Sequence, residues 1–228
     1  GDSALGLLAT TDTGADAGAL TFDNLDSGDL SINGVSIAAS KASDDTASYD
    51  AAISSSKEAS GISIAAAINN ASNTTGVTAT VNATEAKGTT ASTAGTEANT
   101  GSLYLNGVEI SLTVQDSADA NRAFAVNQIN SVSGQTGVVA EDNGTSLTLT
   151  AADGRNIVMA LDTNGAAIDA DNFGLGGAGV SESDFTDGGS TGLTRADEDA
   201  TTTYSTVTLS SAGAISVSGG TNGNSGLE

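Results

Sequence analysis

The sequence says one thing twice, and that repeat limits the possible folds more than any other feature. Residues 28–37 read GDLSINGVSI and residues 101–110 read GSLYLNGVEI. Gly, Leu, Asn, Gly, Val and Ile recur in register, and a seventh position exchanges Ile for Leu. Further on, Ile68-Asn69 followed by Thr75-Gly76-Val77 matches Ile129-Asn130 followed by Thr136-Gly137-Val138. The first match is offset by 73 residues and the second by 61, so copy one carries 12 extra residues between its blocks. A supersecondary unit that occurs twice and tolerates such an insertion is a building block rather than a catalytic centre.

Both copies carry the same local signals. Leu30, Ile32, Val35 and Ile37 flank Asn33-Gly34, and Leu103, Leu105, Val108 and Ile110 flank Asn106-Gly107. A type I′ hairpin turn needs positive φ at both central residues, which Asn-Gly tolerates best. A helix is expected next. In copy two Ser117 or Asp119 can cap a helix through Val132, with Ala125, Ile129 and Val132 on one face. Ile64, Ile68 and Ala71 form the matching stripe in copy one, and the insertion around Lys41–Glu58 is expected to extend that helix N-terminally. Strands follow at Val77–Val81, at Val138–Ala140, at Leu147–Leu149 after Asn143-Gly144, and at Ile157–Leu161 after Asp153-Gly154. Leu5, Leu7 and Leu8 predict a short strand near the start, and Tyr204–Leu209 with Ile215–Val217 predict a last hairpin. The expected fold class is α+β: two repeated hairpin–helix–strands units plus a C-terminal β-hairpin, largely antiparallel sheet. The units are expected at 19–100 and 101–170, with 1–18 and 171–228 as connecting strands and loops.

Composition narrows the chemistry. Ile, Leu, Val and Phe make up 44 of 228 residues, a thin supply for a net charge of −22. Disorder is expected in the Gly/Ser/Asp-rich stretch 176–200, while apolar periodicity implies folding elsewhere. There is no Cys and no His, which excludes disulfides, thiolate nucleophiles, Cys-ligated zinc and an imidazole base. The six basic residues, Lys41, Lys57, Lys87, Arg122, Arg155 and Arg195, are scattered, so nucleic-acid phosphates and anionic membranes are repelled. No apolar run approaches the roughly 20 residues that span a bilayer. Gly1-Asp2-Ser3 reads as the start of an excised fragment, so a missing signal peptide carries little weight.

Carboxylates are the only abundant ionisable groups. Asp12 and Asp16 form one loop cluster, and Asp169, Asp171 and Asn172 another. Neither matches a calcium loop, which gathers about six to eight oxygens. Glycoside hydrolysis by paired carboxylates normally uses aromatic platforms; this chain has no Trp, three Tyr and four Phe, with Phe124 expected in a core. No catalytic, cofactor-binding or metal-ligating residue is therefore expected, and no cofactor. Asn-x-Ser/Thr sequons begin at Asn70, Asn73, Asn82 and Asn143, no more than this composition produces by chance.

The Asn-Gly hairpin, the helix ending in Ile-Asn and the Thr-Gly-Val strand together resemble the "IN" motif of bacterial flagellin and hook-associated proteins. It occurs at about 28–84 and 101–161. The stretch Leu147–Ile157 is similar to the strand–turn–strand that closes the motif in flagellins, and Thr203–Val217 to the return strand pair before their C-terminal helical core. The family's long amphipathic N- and C-terminal helices are absent from this sequence. The resemblance implies the outer, surface-exposed variable region of a filament subunit: structural, extracellular, antigenic and serving motility. Its partners would be other flagellin subunits, joined through the core helices, so the fragment alone is expected to be monomeric. It also implies that the two ends of the chain meet. The alternative is a filament-cap, hook-associated or adhesin-type module that binds a surface or glycan, which an aromatic-lined groove would favour.

Overall fold

The computed structural model describes residues 3–5, 11–13, 24–185 and 193–219, the first two segments as backbone only. Both Asn-Gly hairpins form. Leu30–Ile32 pairs with Val35–Ser36, and Thr100–Leu105 with Val108–Thr113. The turn residues take left-handed conformations in both, with φ of 50° and 79° at Asn33 and Gly34, and 47° and 78° at Asn106 and Gly107, as a type I′ turn requires. The helices also correspond. Gly61–Asn70 is capped by Ser60, whose hydroxyl accepts from Ser63 N, and Ala118–Ser131 by Ser117, which accepts from Ala120 N. Each then breaks and continues for one turn, Ser72–Thr75 or Ser133–Thr136, before a left-handed glycine, Gly76 or Gly137, ends it. A glycine serves there because a Cβ in that conformation costs about 1–2 kcal/mol.

The sheets show how each copy closes. In copy two, Val139–Asp142 and Thr84–Lys87 flank Leu147–Ala151, and Ile157–Asp162 pairs with Thr100–Leu105. In copy one, Val77–Val81 and Ser3–Leu5 flank Val207–Ser211, and Val217–Gly219 pairs with Leu30–Ile32. The registers match: Leu149 lies opposite Ala140 as Leu209 lies opposite Ala79, and Met159 opposite Leu105 as Val217 opposite Ile32. Copy two is thus continuous from Thr84 to Asp162. Copy one is split, and copy two sits between its strands Val77–Val81 and Val207–Ser211.

The architecture is α+β with mostly antiparallel sheets. Among the described strands Ser181–Ser183 is the exception, running parallel to Ile157–Asp162. Four expectations need correction. Val207–Ser211 and Val217–Gly219 do not form a hairpin; each joins a different sheet. The segmentation at 19–100 and 101–170 departs from the observed pairing, because Thr84–Lys87 joins the second unit and the tail strands join the first. The insertion does not extend the helix. It makes a 3₁₀ turn at Ala42–Asp44 and an irregular strap up to Ser60. Asp45 Oδ1 accepts from Ala47 N and Ser48 N at 2.9 Å, the side-chain competition by which Asp and Ser divert backbone from helix. Within 176–200, Phe185 is fully buried and Leu193–Asp199 is helical, while 186–192 lies outside the described residues. In the segment around Leu5, Leu7 and Leu8, the strand is Ser3–Leu5, and Leu7 and Leu8 lie outside the described residues.

Each unit has its own core. Ile64, Ile68, Val77, Val207 and Leu209 belong to the first, and Ala125, Ile129, Val138, Leu147 and Leu149 occupy the matching places in the second. Every residue of Ile157–Asp162 is buried. Ile157, Met159 and Leu161 face the second core, while Val158 and Ala160 face a third, small cluster with Tyr104, Phe185 and Ala196, the alternation expected of a strand covered on both faces.

Candidate functional site

Two features recur in both copies or join them, and both are built largely from Asn, Ser, Thr and Tyr side chains. The first is a clamp. Asn69 Nδ2 donates to Ala79 O at 2.9 Å while its Oδ1 accepts from Ala79 N at 2.7 Å. Asn130 does the same to Ala140, at 3.0 and 2.8 Å. The penultimate residue of each helix thereby grips both backbone groups of one strand residue. The turn Asn grips the other end: Asn33 Nδ2 donates to Thr75 O and Asn106 Nδ2 to Thr136 O, each at 2.9 Å. Their Oδ1 atoms accept from Ser216 N and Val158 N at 2.9 and 2.8 Å. Thr75 and Thr136 complete the set, their hydroxyls accepting from Val77 N and Val138 N at 3.1 Å. The Ile-Asn and Thr-Gly-Val signatures are thus the contacts that fix helix, hairpin and strand together.

The second is the seam made by the strap. Asn156, fully buried, donates through Nδ2 to Ser55 Oγ and Ser56 O at 3.1 Å, and its backbone N to Ser48 Oγ at 2.9 Å. Ser54 Oγ donates to Ala200 O at 2.7 Å, and Tyr204 Oη to Ser54 O at 2.7 Å. Tyr49 lays its ring over Gly107, where a Cβ would collide with it, and donates its hydroxyl to Asp197 at 2.6 Å. Burial first, then the Asp197 carboxylate, pushes the Tyr49 hydroxyl well above the usual tyrosine range. Asp45 Oδ2, Asn156 Oδ1 and Ser205 Oγ are buried without a hydrogen-bond partner, at a cost of about 1–3 kcal/mol each. Such a seam relies on directional bonds, so it fixes how the strap lies more than it adds stability.

Of the two acidic clusters singled out from sequence, the one at Asp169, Asp171 and Asn172 serves a structural end. Asp12 lies in strand Thr11–Thr13, paired with Thr201–Thr203; its side chain and Asp16 lie outside the described residues. Asp169 caps the 3₁₀ turn Ala170–Phe173, exchanging 3.0 Å bonds with Asn172 in a reciprocal box, and Asp171 lies in that first turn. Glu182 accepts from Ala170 N at 3.0 Å, and burial raises its pKa, with Asp169 and Asp171 as like charges adding to the shift. Among the described residues no three His, Cys, Asp or Glu side chains are gathered where an ion could sit. Phe124 is half-buried against the second core. Tyr104, Tyr204, Phe173 and Phe185 are buried, and Phe22 lies outside the described residues. A shallow open depression lined by Gly76, Thr78, Ser210, Ser211 and Ala212 offers only small uncharged groups.

Arg122 is the charged residue most deeply committed. Its guanidinium donates to Asp119 at 2.7 Å, Asp142 at 2.9 Å and Ser92 at 2.5 Å. Burial opposes its charge, but these partners outweigh that and hold its pKa above the usual range. Sequence reading missed it, along with the split closure of copy one. A signal for the latter exists: Val207-Thr-Leu-Ser-Ser matches Leu147-Thr-Leu-Thr-Ala. No helix among the described residues is long and apolar enough to cross a membrane. No family model matches the chain, and no curated protein matches it.

Proposed function

We propose that this chain is the outward-facing, variable module of a bacterial flagellar filament subunit, extracellular and structural. Its partners are other subunits, engaged through helices that lie outside it, and it binds no cofactor and carries out no catalysis. The observation that carries this reading is the antiparallel pairing of Ser3–Leu5 with Val207–Leu209. It brings an early and a late segment into one sheet, the geometry of a module that leaves a stalk and returns to it. The duplicated clamp supports the same reading: it makes a stiff frame whose loops can vary. With 28 acidic against 6 basic residues, the isolated chain is expected to stay monomeric in dilute buffer.

Antibodies raised against the isolated chain test the proposal. In immunogold microscopy of intact cells they should label filaments along their whole length. Label confined to the filament tip would point to a cap protein, and label on the cell body to an adhesin; either outcome sinks the filament-subunit reading.

A further inference from the structure

Four Asn-Gly pairs lie among the described residues, at Asn33, Asn106, Asn143 and Asn164, and all four glycines have positive φ. Asn-Gly is chemically the most labile of asparagine sequences, because the unhindered glycine amide can attack the Asn carboxamide carbon. Local structure decides whether it can reach it.

Three of the four are restrained. Asn33 and Asn106 have both ends of the carboxamide held by the clamp described above. Asn143 Oδ1 accepts from Ser146 N at 2.9 Å and its Nδ2 donates to Ser146 Oγ at 2.9 Å, while the Gly144 amide is occupied by Asp142 Oδ1 at 2.8 Å. Asn164 differs. It is exposed on the turn after strand Ile157–Asp162. Its Nδ2 makes one long contact, 3.4 Å to Thr100 O. Its Oδ1 and the Gly165 amide have no hydrogen-bond partner among the described residues.

We propose that Asn164 is a self-modification site of this protein, converting to aspartyl and isoaspartyl forms while the other three turns stay intact. The Gly165 amide gives its proton to hydroxide, and its nitrogen bonds to Asn164 Cγ. The carboxamide nitrogen leaves as ammonia, giving a cyclic imide. Water then opens the ring at either carbonyl, so the net change is water consumed and ammonia released. The product adds a carboxylate beside Asp162, whose Oδ1 accepts from Asn164 N and Phe185 N. It also lies close to Asp184, whose carboxylate would meet a Cβ placed on Gly165. Modification thus adds like charge where Phe185 closes the third core.

The experiment follows conversion by peptide mass spectrometry in the intact chain carrying Asn222→Gln, which removes the further Asn-Gly pair that lies outside the described residues, incubated at mildly alkaline pH, folded and in urea. In the folded protein Asn164 should convert about thirtyfold faster than Asn33, Asn106 or Asn143, the factor supplied by two hydrogen bonds of ordinary net worth. In urea the four should convert at similar rates, and Asn164→Gln should abolish the fast phase of the folded protein. Conversion of any of the other three at a rate equal to Asn164 in the folded protein would overturn the assignment, as would a folded Asn164 slower than in urea by the same factor as the rest.

Discussion

The two copies share a clamp and differ in how they close. Copy two draws the strands that correspond to those of copy one from one continuous stretch, Thr84 to Asp162, so its last strands follow its helix within a few dozen residues. Copy one waits for strands that arrive only after copy two has been made. The same contacts therefore close a short loop in one case and a long one in the other, and chain entropy separates them. Copy two should form first and copy one should open more easily, although the residues that meet are nearly the same. The strap sharpens the asymmetry, because it belongs to copy one but packs on the outer face of the copy-two sheet.

Core deletions probe this contrast most strongly. Ile68 and Ile129 are both fully buried at matching positions, and Ile→Ala at either should cost about 2–5 kcal/mol. Denaturant unfolding should give similar losses at the two sites. Hydrogen exchange should separate them, with Ile68→Ala exposing the first unit while amides around Leu103–Leu105 and Leu147–Leu149 stay protected. Uniform loss of protection would show a single cooperative unit instead.

The clamp comes next. Asn69→Ala and Asn130→Ala each remove two hydrogen bonds to one strand residue, at about 2 kcal/mol in total. Equal losses support equivalent roles; a loss confined to one copy would mean that the matched geometry is not matched in energy.

A smaller effect distinguishes the helix-ending glycines. Gly76→Ala meets open space, so it should show only the left-handed penalty of about 1–2 kcal/mol. Gly137→Ala should cost more, because its Cβ would run into the Arg155 guanidinium, which also donates to Asp153 at 2.7 Å. Thermal melts of the two variants compare them directly.

The smallest effect is at the seam, and it depends on pH. The Tyr49 hydroxyl has a folded pKa raised above the ordinary value of 10.0. Its contribution is therefore fully present below pH 10 and is lost as pH rises through the folded value. Stability should fall in alkali, and Tyr49→Phe should flatten part of that fall; an unchanged alkaline slope would remove Tyr49 from the seam.

The repeat and both hairpins were legible because Asn-Gly between alternating apolar residues has a local mechanism. The helix limits were legible too, through Ser117 and the Ile129 stripe. Closure was harder to read. Nothing local in Val207–Ser211 says that its partners are Val77–Val81 and Ser3–Leu5, and the eye pairs it with its neighbour Val217. The match of Val207-Thr-Leu to Leu147-Thr-Leu was available but short. The strap was not legible, because the insertion falls directly before the first helix and its position does not show that Asp45, Ser48 and Ser54 bond elsewhere. Asp169 showed its charge in the sequence but not its capping role, which depends on Asn172 folding back onto its amide.

Shortening the chain to end at Thr206 tests the split closure most directly, since it removes Val207–Ser211 and Val217–Gly219 but keeps Tyr204 on the seam. Hydrogen exchange of this shortened protein should show the helix Gly61–Asn70 and strand Val77–Val81 losing protection, while Ala118–Ser131 and Leu147–Ala151 keep theirs. A first helix as protected as in the intact chain, or loss of protection in both copies alike, would contradict an account in which the second repeat stands alone inside a first that only the tail can close.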